Sequence, residues 1–157
     1  MKTQGLTICA CNGHKELTEK MMEEDLPLLK NKQERTALHF ACMNGHVEIV
    51  LLVLQYARKK GQLEEFVNIC DNISHYSALH IACRAGNVEI VKLLVDSRAD
   101  IHLPVKNGET CVHLACSQTG KEYSEIVELL IEKGAKFLKN EHITNFGKTA
   151  LHYCAKK

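Results

Sequence analysis

Apolar residues recur along this chain in two alternating patterns. The segments Val47-Glu48-Ile49-Val50, Val88-Glu89-Ile90-Val91 and Glu125-Ile126-Val127 place apolar side chains at helical spacing, with acids in the first turn where the helix dipole favours them. Each predicts an amphipathic helix. Upstream of each lies a shorter stretch dense in small and apolar residues: Leu38-His39-Phe40-Ala41-Cys42, Leu79-His80-Ile81-Ala82-Cys83 and Val112-His113-Leu114-Ala115-Cys116. Small side chains let such a helix approach its neighbours closely. Thr36, Ser77, Thr110 and Thr149 precede these stretches as N-caps, their hydroxyls able to accept from the free N–H groups that open a helix. Gly45, Gly86 and Gly120 read as the stops. The segment 97–109, broken by Pro104 and carrying the turn pair Asn107-Gly108, is expected to be extended rather than helical. One unit is therefore two antiparallel helices and a connecting turn.

The unit repeats. The string RTALHFACMNGHVEIV at 35–50 returns at 76–95 as YSALHIACRAGNVEIVKLLV, in weaker form at 109–131, and as KTALHYCA from Lys148. The capping hydroxyl residues stand 41, 33 and 39 residues apart, a period of 33 with insertions of eight and six. TALH, SALH, TCVH and TALH at this period resemble the TPLHxA motif of ankyrin repeats, and Ala99-Asp100-Ile101 resembles that family's GADV. The similarity is strong over about 31–155. It is weaker over 1–30, where Cys11 to Leu17 aligns with Met43 to Ile49. The resemblance implies an all-α ankyrin-repeat solenoid of about four and a half stacked units, in one domain spanning 1–157. Its repeats are expected at 1–30 (degenerate), 31–71, 72–104, 105–143 and 144–157 (partial).

Departures from the family pattern are informative. Ala37, Ala78, Cys111 and Ala150 replace its proline, and Arg98 stands where a helix-ending glycine is usual. The eight inserted residues between Leu54 and Asp71 are expected to lengthen the second helix through 56–60 and to enlarge a loop at 61–68; further extra residues fall at 120–123 and 141–144. The last copy stops after its first helix, which fits either a short self-contained protein or a piece cut from a longer channel, enzyme or effector.

Charge and composition narrow the function. Lys and Arg number 20 against 19 Asp and Glu, a net charge of +1, and no polybasic run occurs, so nucleic acid is not an expected partner. The N-terminal apolar patch is too short for a signal peptide, and the longest apolar run, 49–54, is far below the roughly 18 residues that span a bilayer. Eight cysteines then read as thiols in a reducing compartment, the cytoplasm first and the nucleus second.

The pairs His39/Cys42, His80/Cys83 and His113/Cys116 have ligand-like spacing. Stacked helices hold equivalent positions about 8–10 Å apart, whereas zinc bonds are about 2.0–2.3 Å, so one pair per layer is too few ligands. The ankyrin resemblance implies that His39, His80, His113 and His152 are motif residues linking the capped turn to neighbouring backbone, and that Cys42, Cys83 and Cys116, at a position the family usually gives to alanine, are small buried residues. No phosphate-binding, dinucleotide, metalloprotease or nucleophile-elbow motif is present; no enzymatic activity, cofactor or metal is expected.

What remains is surface. The resemblance implies that a protein partner is held by the projecting turns and the exposed part of helix one, as an adaptor or inhibitor holds its target. The turns contribute Gln33, Arg35, Ser74, Tyr76, Lys106, Asn107, Glu109, Phe146 and Lys148, and helix one contributes Met43, Asn44, Arg84, Ser117 and Gln118. Tyr76, Phe146, Arg35 and Arg84 carry most weight, because aromatic residues and arginine dominate interface hot spots. The insertion at 58–66 is a second candidate surface, and the chain is expected to be monomeric on its own.

Overall fold

The computed structural model describes residues 2–22 and 30–135. Its helices are α1 (Lys2–Asn12), α2 (Lys15–Met22), α3 (Ala37–Asn44), α4 (Val47–Lys59), α5 (Leu63–Val67), α6 (Ala78–Ala85), α7 (Val88–Asp96), α8 (Cys111–Cys116) and α9 (Lys121–Glu132). Among the described residues there is no strand, only an isolated antiparallel bridge between Cys70 and Ser77. The helices stack in two rows. α1, α3, α6 and α8 pack successively as an inner row, and α2, α4, α7 and α9 line up behind them. The expected all-α solenoid is what these residues build, and the weak first copy forms a helix pair broken at Gly13, the position equivalent to Gly45.

The inner helices are short because their ends are fixed on both sides. Gly45 and Gly86 take left-handed conformations with φ of 72° and 73°, which stop α3 and α6 at little steric cost. At the other end a histidine stands in for the usual acid of a capping box. The Nδ1 atoms of His39, His80 and His113 accept the backbone N–H of Thr36, Ser77 and Thr110 at 3.1, 3.1 and 3.2 Å. An Nδ1 that accepts leaves the proton on Nε2, which donates across the stack: His39 to the Tyr76 carbonyl at 3.2 Å, His80 to the Leu103 carbonyl at 2.9 Å. His39 and His80 are thus each a cap within one unit and a rivet to the next.

Three expectations need correction. Gly120 does not end a first helix: α8 stops at Cys116, and Gly120, with φ of 138°, stands just before α9. That helix opens at Lys121 rather than near Glu125, because the extra residues there are absorbed as its first turn. The insertion does lengthen α4 to Lys59, but 61–68 is not simply a loop. It contains α5, whose Phe66 and Val67 are buried, so the insertion packs against the stack. Asn68 fastens it to the following unit by accepting the Asp100 N–H at 2.7 Å and donating to the Arg98 carbonyl at 3.2 Å.

The core follows the pattern of small and branched residues. Leu38, Ala41, Cys42, Leu79, Ala82, Cys83, Val112, Ala115 and Cys116 of the inner row meet Ile49, Val50, Val53, Ile90, Val91, Leu94, Ile126 and Leu130 of the outer row. All six residues of α8 and six of the eight in α6 are buried. In α3 and α6 the exposed residues lie in the last turn, Met43-Asn44 and Arg84-Ala85, beside the projecting loops. No helix among the described residues is long and apolar enough to cross a membrane.

Candidate functional site

The projecting turns share one construction. The N–H at the start of each pairs with the carbonyl at its end: Asn31 with Arg35 at 2.9 Å, Asp71 with Tyr76 at 2.9 Å, and Val105 with Glu109 at 2.8 Å. The middle turn is one residue longer. Side-chain oxygens fill the first two: Asn31 Oδ1 accepts the N–H of Gln33 and of Arg35 at 2.9 Å, and Asp71 Oδ1 accepts those of Ser74 and Ile73 at 2.8 and 3.2 Å. The residue before the closing position is left-handed in each, with φ of 62° at Glu34, 62° at His75 and 83° at Gly108.

Consecutive turns are tied edge to edge. The Asn72 N–H donates to the Gln33 carbonyl at 3.1 Å and the Lys106 N–H to the Ser74 carbonyl at 3.1 Å. Lys106 Nζ donates to the Asn72 carbonyl at 3.0 Å and also to that of Ile73. A buried ion pair anchors the row: Arg35 Nε and Nη2 both reach Asp71 Oδ2, at 3.0 and 2.8 Å, and the Asp71 side chain has no exposed surface. Burial pushes the Asp71 carboxyl pKa upward, but the N–H of Ser74, the Arg35 guanidinium and the N–H of Tyr76 outweigh it and hold it below the usual value.

Beneath these turns lies a hollow of about 450 Å³ lined by Arg35, Met43, Ser74, Tyr76, Ile81, Arg84 and Ala85. Five of these were expected from sequence. Met43 (44% exposed) closes α3, and Arg84 is exposed in the last turn of α6. Tyr76 is half-buried, its ring stacked on His80 with centroids 5.9 Å apart and planes at 19°, so its exposure is less than a projecting ring would have. Arg35 is half-buried and committed to Asp71 on one edge.

The other expected residues lie elsewhere. Gln33 is exposed at its turn tip. Asn44 points back along the stack, donating to the Phe40 carbonyl at 3.0 Å and to Cys11 Sγ at 3.2 Å. Lys106, Asn107 and Glu109 form the third turn, where Asn107 donates to Glu109 Oε2 at 2.8 Å. Ser117 and Gln118 follow α8 rather than belonging to it, Ser117 donating to the Leu114 carbonyl at 2.8 Å; Gln118 faces a separate hollow beside Tyr123 and Val127. Phe146 and Lys148 lie outside the described residues. The sequence reading missed Ile81 at the floor, Ile73 (48% exposed) at a turn tip, and Asp71. Asp71 was findable, since it matches Asn31 as the aspartate or asparagine that opens a turn.

The histidine and cysteine pairs are engaged as structure. Burial lowers the His39 and His80 pKa values to about 4 and raises those of the Cys42 and Cys83 thiols. Among the described residues no three His, Cys, Asp or Glu side chains converge on a point where a metal could sit.

A family model for ankyrin repeats in three copies matches residues 6–105, 60–141 and 99–157. The chain belongs to the ankyrin-repeat family. Ankyrin repeats are generally protein–protein interaction modules and are typically non-catalytic. The comparison with curated proteins returned no match.

Proposed function

We propose that this ankyrin stack binds a protein partner through the concave hollow under its first two described turns, acting as an adaptor or inhibitor rather than a catalyst. The observation that carries the reading is the convergence of Arg35, Met43, Ser74, Tyr76 and Arg84 on one cavity. They come from two turns and two helices, and a stacked array creates extended surfaces of this kind. An aromatic ring, two arginines and an exposed methionine match the residue types enriched at interfaces. A reducing compartment suits this role, with the cytoplasm ahead of the nucleus, since all seven described cysteines are free thiols.

The test is affinity capture from source-cell extract with three variants. Met43→Glu and Arg84→Glu alter the hollow, whereas Leu51→Glu alters an exposed residue on α4. The expected result is a protein held by the wild type and by Leu51→Glu and lost from both hollow variants. A partner held equally by all four would place binding elsewhere.

A further inference from the structure

The charged side chains that line the hollow, Arg35 and Arg84, are of one sign. Arg35 engages Asp71 through Nε and Nη2 while Nη1 has no partner among the described residues. Among them the Arg84 guanidinium has no carboxylate partner and the Ser74 hydroxyl no hydrogen-bond partner. The nearest acid offers nothing in return. Asp71 Oδ2 is taken by Arg35, its Oδ1 by the N–H groups of Ser74, Ile73 and Tyr76, and its side chain has no exposed surface. Lys106 adds no free cation at the rim, because its ammonium is bound to the carbonyls of Asn72 and Ile73. Donors therefore surround an apolar floor made by Met43, Ile81 and the Tyr76 ring.

That combination selects its occupant. A wholly apolar segment would cover the half-buried Arg35 Nη1 and leave it without an acceptor, which is costly. A cationic segment would meet two guanidinium groups. We infer that, within the binding role proposed above, the hollow takes a peptide segment of another protein in which a large apolar side chain is flanked by Asp or Glu. The apolar side chain sits on Met43 and Ile81, and the carboxylate pairs with Arg84 and the free edge of Arg35. Planar guanidinium groups favour this two-oxygen partner.

Amide NMR titration of the full chain tests this with three short capped peptides, Glu-Leu-Glu, Gln-Leu-Gln and phosphoserine-Leu-phosphoserine. The expected result is shifts centred on Met43, Ser74, Ile81 and Arg84, with Glu-Leu-Glu bound about threefold or more tighter than Gln-Leu-Gln at low salt. That preference disappears at about 0.5 M salt, since screening acts on exposed charge. Arg84→Gln, at an exposed helix end, also removes it. Equal binding of the Glu and Gln peptides in the hollow would overturn the carboxylate assignment and leave the binding site standing. Binding by the phosphoserine peptide alone would overturn it in favour of a phosphoryl group. Shifts confined to other surfaces would overturn the site itself.

Discussion

Acidification is predicted to weaken the stack through the same histidines that rivet it. His39 and His80 are buried and neutral, with pKa values lowered from 6.5 to about 4, chiefly because burial disfavours the imidazolium. The Tyr76 and Leu103 carbonyls favour the charged ring and reduce the shift without reversing it. Among neighbouring charges, Asp71 raises and Arg35 lowers the value for His39, and for His80 the adjacent His75 lowers it while Asp100 and Asp71 raise it. Below pH 6.5 the unfolded chain takes up a proton at each site that the folded chain refuses until about pH 4, so folding stability falls as pH falls through that window. At about pH 5 each histidine costs about 2 kcal/mol relative to about pH 7.5, and the pair about 4 kcal/mol. Urea unfolding of the wild type and of His80→Gln at both pH values measures it. The variant loses stability at neutral pH with its two hydrogen bonds, but its drop on acidification is smaller by about 2 kcal/mol. His39→Gln gives an independent second measurement. An equal drop in all three proteins, or a folded-state imidazole at His80 that titrates near its ordinary value, would refute the argument.

Other substitutions follow from packing and backbone. Leu79→Ala, at a core position 1% exposed, lowers stability by about 2–5 kcal/mol in chemical denaturation. Asp71→Ala leaves the Arg35 guanidinium and three N–H groups without their acceptor and costs about 3–5 kcal/mol in the same assay. Arg98→Gly raises the melting midpoint, gaining about 0.5–1 kcal/mol: Arg98 has φ of 67°, and its ion pair with Glu64 is exposed and contributes little.

The repeat unit was legible because three local rules agreed in the copies opening at Thr36, Ser77 and Thr110: a capping hydroxyl, a small-residue helix and an apolar periodicity. The lengthened α4 was legible too, since helix-forming residues run on past Leu54 without a stop. α5 was not, because Leu63-Glu64-Glu65-Phe66-Val67 is too short to show a period and is held by burial of Phe66 rather than by propensity. Gly120 misled because glycine tolerates many backbone conformations, and its φ of 138° is not that of a helix stop. At the candidate site, sequence named five of the seven residues that line the hollow but not their pairings. That Arg35 spends one edge on Asp71, 36 residues away, is a tertiary fact with no local signature.

Those pairings change what each charged residue can contribute. Arg35 and Lys106 are both cations of the projecting turns, on the first and the third, yet Lys106 ties down the turn before it while Arg35 keeps one edge without a partner among the described residues. Arg84 projects from α6 instead, at the end of a helix capped by the Ser77/His80 box and stopped at Gly86. The hollow is therefore bounded by backbone that the stack fixes: Ser74 through its N–H to Asp71, Tyr76 through the His39 bond to its carbonyl, and Met43 and Arg84 through helices stopped at Gly45 and Gly86, with the Tyr76 ring also stacked on His80. A site whose walls are already ordered loses little conformational entropy when a partner arrives, so selectivity falls to the few groups left free. Among the described residues those are one guanidinium, the edge of a second, a hydroxyl and an apolar floor.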